Sequence, residues 1–186
     1  MPSLSICSPD VYYDLKMQSF IKKKRQDNDQ KWIFQLIDGV DCPGTEQVYI
    51  TTDEWLLCED IHIGTDQRFI VVFKDKSLQS IRDLRAKHIL MLENVQKMTQ
   101  DFLRNRFSKR EASMYKLYFH YIPSVFQLHL HVSVPNSSRT KYRAHPLHIV
   151  IRNITEENTW YQNALILTTL TKQVRSKSIY STTNIS

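Results

Sequence analysis

The stretch "FQLHLHVSV", Phe126 to Val134, decides the fold. Side chains alternate across a β-strand, so Leu128, Leu130 and Val132 share one face, and Gln127, His129 and His131 share the other. The apolar face needs a cover. The polar face carries two imidazoles roughly 6.5–7 Å apart along the strand, a spacing that suits different oxygens of one polyphosphate. "MYKLYFHYI", Met114 to Ile122, reads as the preceding strand, joined through Pro123 and Ser124. Paired as a hairpin, it brings His120 to the same polar surface.

The cover lies just upstream. "LRAKHILMLENVQKMTQDFLRNRF" places Leu84, Ile89, Leu92, Val95, Met98 and Phe102 at helical spacings, so a long helix is expected over 84–107. Before it, "QVYIT", "WLLCEDIHI" and "RFIVVFK" are β-rich runs separated by polar turns. "DCPGTE" reads as a turn. Ser8-Pro9-Asp10 starts a helix, with a capping hydroxyl and then proline at the first helical position. That helix is expected to run to about Arg25 and to end in the basic run "KKKR", Lys22 to Arg25. The run reads as a solvated helix end, with a nuclear import signal as the alternative. "KWIFQLID" is read as a short helix, "HPLHIVIRNI" as another, and "ALILTTL" as a last strand before a polar tail. Strands, a long helix, a hairpin, a short helix and a strand, in that order, give an α+β class: a mainly antiparallel sheet with a long covering helix and a short C-terminal one.

At 186 residues and 41% hydrophobic, the chain suits one domain with a substantial core. Its net charge of +6 is compatible with an anionic partner. The cysteines, Cys7, Cys42 and Cys58, are odd in number and fit no zinc spacing, so a reduced, intracellular setting is expected. The start "MPSLSICSPD" lacks a basic segment followed by an apolar core, so no signal peptide is expected. No run of 18 apolar residues is present, so no membrane partner is expected.

Three readings of the histidines compete. They decorate a solvated strand. They supply two zinc ligands, with His62 or His120 as the third. Or one of them is a nucleophile toward phosphorus.

The motif "FQLHLHV" resembles the histidine triad, in which histidines alternate with apolar residues. "SLQSIRDLRAKHILMLENV" followed by "YFHYIPSVFQLHLHV" resembles the C-terminal domain of the scavenger mRNA-decapping enzymes, and "RAHPLHIVI" and "ENTWYQNALILTTL" continue the similarity. The resemblance spans roughly residues 8–171. It implies a histidine-triad fold over 31–171, a hinge-like N-terminal helix within 1–30 and a polar tail at 172–186. It implies a hydrolase that cleaves the triphosphate bridge of methylguanosine-capped dinucleotides or short capped RNA fragments, as a homodimer, without metal or cofactor, in the cytoplasm and also the nucleus. By its position His129 is the nucleophile. His120, Ser124 and His131 match phosphate-contacting positions, and Asp60, His62 and Gln127 border the triphosphate. Trp32 matches the tryptophan that stacks on the methylated base, whose positive charge an indole face attracts. Glu46 is the nearest match to the carboxylate that receives the guanine edge.

The sequence also departs from the family. Gln127 stands where the first triad histidine is expected, and an amide cannot carry a proton or a charge. His62 replaces a lysine, and Val125 a common phenol. The chain begins near the hinge helix, so the resemblance implies a pocket without the family's N-terminal lid. Loss of one supporting donor costs about 10²–10³ in rate, so a weakened hydrolase is expected. The rivals are a degenerate protein that binds cap nucleotides without cleaving them, a broader triad hydrolase of dinucleoside polyphosphates or phosphoramidates, and a structural or nucleic-acid-binding domain.

Overall fold

The computed structural model describes residues 4–40, 47–60, 67–134 and 143–169. Six strands form an antiparallel sheet: β2 (Val48–Thr51), β3 (Trp55–Glu59), β4 (Phe69–Phe73), β5 (Lys116–His120), β6 (His129–Ser133) and β7 (Ala144–Pro146), in the order β2-β3-β4-β6-β5-β7. β1 (Leu4–Cys7) and β8 (Ile166–Thr169) pair apart from it as a two-stranded ribbon. The helices are α1 (Pro9–Tyr13), α2 (Leu15–Gln26), α3 (Lys31–Ile37), α4 (Ile89–Arg106), α5 (Lys109–Met114), α6 (Leu147–Glu156) and α7 (Trp160–Asn163). This is the α+β arrangement the sequence implies.

Strand alternation divides the apolar residues between two faces. Phe69, Val71 and Phe73 of β4, Trp55 and Leu57 of β3, and Leu130 and Val132 of β6 join one cluster with Leu92, Val95 and Leu103 of α4 and Val150 and Ile154 of α6. Leu128 joins it too, so the apolar face of the histidine strand lies in the core as expected. The other face carries a smaller cluster, Leu56, Cys58, Ile70 and Val72, with Ile33 from α3. A short helix therefore covers part of that face, and the histidines of β6 occupy the neighbouring strand.

Several elements differ from the sequence expectation. The first helix is interrupted: Asp14 leaves the helical conformation and its carboxylate accepts from Lys16 N at 2.8 Å, capping the restarted α2. The long helix begins at Ile89, because Ile81–Asp83 and Ala86–His88 form 3₁₀ turns that let the chain change direction. The strand begins at His129, and residues 126–128 are held instead by bonds outside the ladder, Leu128 N to Leu78 O at 2.8 Å and Phe73 N to Leu128 O at 3.1 Å. β1, α5 and α7 were not expected. The "DCPGTE" turn and the tail lie outside the described residues. Among the described residues, no helix is long and apolar enough to cross a membrane.

Candidate active site

The site is built on the β4–β6–β5 ladder. Val72 pairs with His129, Ile70 with His131, and Tyr118 with His131 on the other side. Equal parity puts His129, His131, Tyr118 and His120 on the face that carries Ile70 and Val72. The rings converge: His120 and His131 have centroids 4.3 Å apart, and His129 and His131 5.1 Å. That is closer than the strand rise alone allows, so the imidazoles lean together. Tyr118 stacks on His131 at 5.5 Å and fixes its own hydroxyl against Ser133 Oγ at 2.9 Å.

His129 is buried, and its Nδ1 lies 2.7 Å from the carbonyl oxygen of Gln127. A carbonyl only accepts, so Nδ1 carries the proton and Nε2 keeps its lone pair. Burial pushes its pKa down, partly offset by the Gln127 hydrogen bond and the negative charge of Asp60. The ring is therefore neutral at neutral pH, which is the form that can attack an electrophile. His120 is pushed down to about 3 by burial, then by Arg143, His129 and His145. His131 lies well below its ordinary range, through burial, its two histidine neighbours, Arg143 and Arg68. Its Nδ1 is 3.9 Å from Asp60 Oδ2, too long for a hydrogen bond, and with a neutral ring the contact is no ion pair. Among the described residues, His120 Nε2 and Arg143 Nε are buried without a hydrogen-bond partner. Buried polar groups are nearly always satisfied, so two such atoms beside one cluster call for a polar partner, a buried water or a ligand.

The loop into β6 is held by Gln30, a buried amide between α2 and α3. Its Nε2 donates to Ser124 O at 3.1 Å, and its Oε1 accepts from Phe126 N at 3.2 Å. Ser124 itself is exposed at the rim. Trp32 is half-buried on α3 and packs, with Val125, against the cluster that contains Val72, the cross-strand partner of His129. An indole and the buried imidazole thus lie on one face of one sheet.

The structure brings together His129, His131, His120 and Asp60, and sets Trp32 on the same face. His62 and Glu46 lie outside the described residues. Gln127, expected to border the triphosphate, has its side chain bonded to protein. Its Nε2 donates to Phe73 O at 2.8 Å and Asp75 O at 2.9 Å, and its Oε1 accepts from Arg25 Nη2 at 3.3 Å. Its side chain is fully buried and fully occupied with protein. Sequence reasoning missed Arg143, whose charge bears on His120 and His131 and whose Nη2 donates to Ile122 O at 2.5 Å. Only the step from β6 to β7 brings it back to β5, through Tyr121 N to Arg143 O at 2.9 Å. Among the described residues, no three His, Cys, Asp or Glu side chains are grouped to hold a metal ion.

Comparisons with known proteins give the chain a family. A family profile described as "Scavenger mRNA decapping enzyme C-term binding" matches residues 31–160. The m7GpppX diphosphatase of Bos taurus is 30% identical over 102 residues, 52% of this chain and 29% of that protein. The human protein of the same name is 29% identical over 102 residues, with the same coverage, and the Schizosaccharomyces pombe one is 38% identical over 55 residues, 30% of this chain and 18% of that protein. The matches thus span under a third of the curated relatives' length. Among solved structures, the S. pombe aprataxin ortholog Hnt3 superposes with a TM-score of 0.49 at 14% identity, covering 83% of this chain and 78% of that one. A histidine triad protein from Clostridium difficile gives 0.47 at 13% identity, covering 60% and 95%. Both likenesses are too slight to add to the family match. The profile covers well over half of the chain, and with the histidine ladder it shows that this protein belongs to the scavenger mRNA-decapping enzyme C-terminal family, whose histidine-triad domain it carries.

Proposed function

We propose that the protein hydrolyses the triphosphate bridge of methylguanosine-capped dinucleotides or short capped RNA fragments, with His129 as nucleophile. One observation carries the reading: His129 is held neutral with Nδ1 donating to a carbonyl and Nε2 keeping its lone pair, beside the unsatisfied polar atoms His120 Nε2 and Arg143 Nε.

The chemistry follows from the tautomer. Nε2 forms a bond to the phosphorus attached to methylguanosine, and the P–O bond to the bridging oxygen breaks. A nucleoside diphosphate, or an RNA 5′-diphosphate, leaves with the electron pair. The imidazole of the intermediate gains positive charge, which the Gln127 carbonyl and Asp60 offset. Water then attacks the same phosphorus, releases methylguanosine monophosphate and returns His129 to its neutral form. Donors aimed at the phosphoryl oxygens supply most of the rate in such reactions. His120, His131, Ser124 and Arg143 take that role, with His62 beside them. Trp32 stacks on the cationic base, and Glu46 receives its edge. The homodimer and the cytoplasmic and nuclear location rest on the family alone.

The test is incubation with a methylguanosine-capped dinucleotide. Methylguanosine monophosphate and a nucleoside diphosphate are the expected products. Equal cleavage of the unmethylated dinucleotide would favour the broader hydrolase. Cap-analogue binding with no product would favour the binding-only reading, which draws support from a Gln127 amide turned wholly to protein partners.

A further inference from the structure

We infer that Arg25 is a positioning residue for this reaction: it holds the Gln127 side chain, and through it the peptide carbonyl that sets the tautomer and aim of His129. The inference rests on the reading of His129 as nucleophile.

Arg25 ends the basic run of α2, but it does not behave as the rest of that run does. Lys22 and Lys23 are exposed, and Lys24 pairs with Asp27 at 3.0 Å. Arg25 is half-buried and lies over the Phe34 ring of α3, 5.2 Å from its centroid. Its Nη2 donates to Lys76 O at 2.7 Å and to Gln127 Oε1 at 3.3 Å. One guanidinium thus ties α2, α3, the turn after β4 and the approach to β6.

Gln127 is where these ties converge on chemistry. It lies ahead of β6, outside the strand ladder. The peptide that carries its carbonyl is held at one end by Leu128 N donating to Leu78 O at 2.8 Å, and at the other by the Gln127 side chain, with two donors on Phe73 O and Asp75 O and one acceptor on Arg25. The backbone carbonyl of the same residue receives His129 Nδ1 at 2.7 Å. A neutral imidazole has one donor and one acceptor, and could not make all three of the bonds that Gln127 makes. The glutamine and the arginine are therefore a matched pair at the first triad position. Lysine at 25 would keep the charge but lose the planar fork that stacks on Phe34 while it donates.

The experiment combines kinetics with nitrogen-15 spectra of the imidazoles in Arg25→Ala and Arg25→Lys, the His129 signal being the one lost in His129→Asn. In the wild-type protein His129 should show a protonated Nδ1 and a bare Nε2. In Arg25→Ala we expect a mixture of tautomers at His129, with kcat lower by about 10- to 100-fold, the scale of lost supporting contacts. KM should stay within about threefold. Arg25→Lys should fall between. A folded Arg25→Ala protein with the wild-type His129 spectrum overturns the inference, whether kcat is unchanged or falls. If Arg25→Ala does not fold, Arg25→Lys decides, and wild-type values for both readouts overturn the inference. If the wild-type protein turns over no capped substrate, the functional reading fails, and the tautomer still tells whether Arg25 sets His129.

Discussion

Arg82 provides the sharpest test of how the site is held. It is fully buried on the Ile81–Asp83 turn, with no exposed surface. Nε donates to Tyr121 Oη at 2.8 Å, Nη1 to Tyr161 O at 2.8 Å and Ala164 O at 3.0 Å, and Nη2 to Cys7 O at 2.7 Å. The rings of Tyr12 and Tyr121 lie 5.5 and 5.2 Å from its centre. One side chain therefore joins β1, α1, the segment between α7 and β8, and the residue next to His120. Arg82→Lys keeps the charge and replaces a five-donor fork with a single three-donor point. The acceptors lie along different edges of the fork, so at least two bonds are lost. At roughly 1.5–3 kcal/mol for each bond to a charged group, the substitution should cost about 3–6 kcal/mol. That is a large share of the roughly 5–15 kcal/mol that holds a domain together. Urea unfolding followed by tryptophan fluorescence measures it as a shift in midpoint at constant slope. A loss below about 1 kcal/mol would refute the reasoning.

Three further outcomes follow from the same geometry. The folded protein holds His120 near 3 and His145 near 4, with His129 and His131 also lowered, whereas the unfolded chain takes up protons near the ordinary 6.5. Stability should thus be complete above about pH 6.5 and fall steadily as pH drops toward 4; a flat urea midpoint from pH 8 to 5 would contradict this. Trp32→Ala should weaken binding of a methylguanosine nucleotide by about 1–2 kcal/mol in calorimetry, through lost cation–π attraction, and unchanged affinity would remove Trp32 from the base site. Gln127→His should lower the melting temperature and leave kcat no higher; a tenfold gain would return residue 127 to the phosphate.

The sheet was legible because alternation is local. Leu128, Leu130 and Val132 on one side, and His129 and His131 on the other, follow from residue order alone, and the covering helix follows from its own periodicity. The helix α5 was not expected, although Ser108 and Glu111 form the reciprocal cap that starts it. β1 was not, because "LSIC" gains its meaning only from Ile166–Thr169 at the far end of the chain. The supporting contacts of the site were hidden for the same reason. Gln30 and Arg25 reach residues about a hundred positions away, and nothing in their own neighbourhoods distinguishes a buried clamp from a solvated turn or a charged helix end. Gln127 was visible as a departure, but its partners, Phe73 and Asp75, come only with the fold.

The most direct measurement is capture of the covalent intermediate. The protein would be mixed with a methylguanosine-capped dinucleotide, quenched in alkali to preserve a phosphoramidate, and digested for mass spectrometry. A methylguanosine monophosphate group on His129 is the predicted result. Product formed without an adduct there, or at an undiminished rate by His129→Asn, would contradict the assignment.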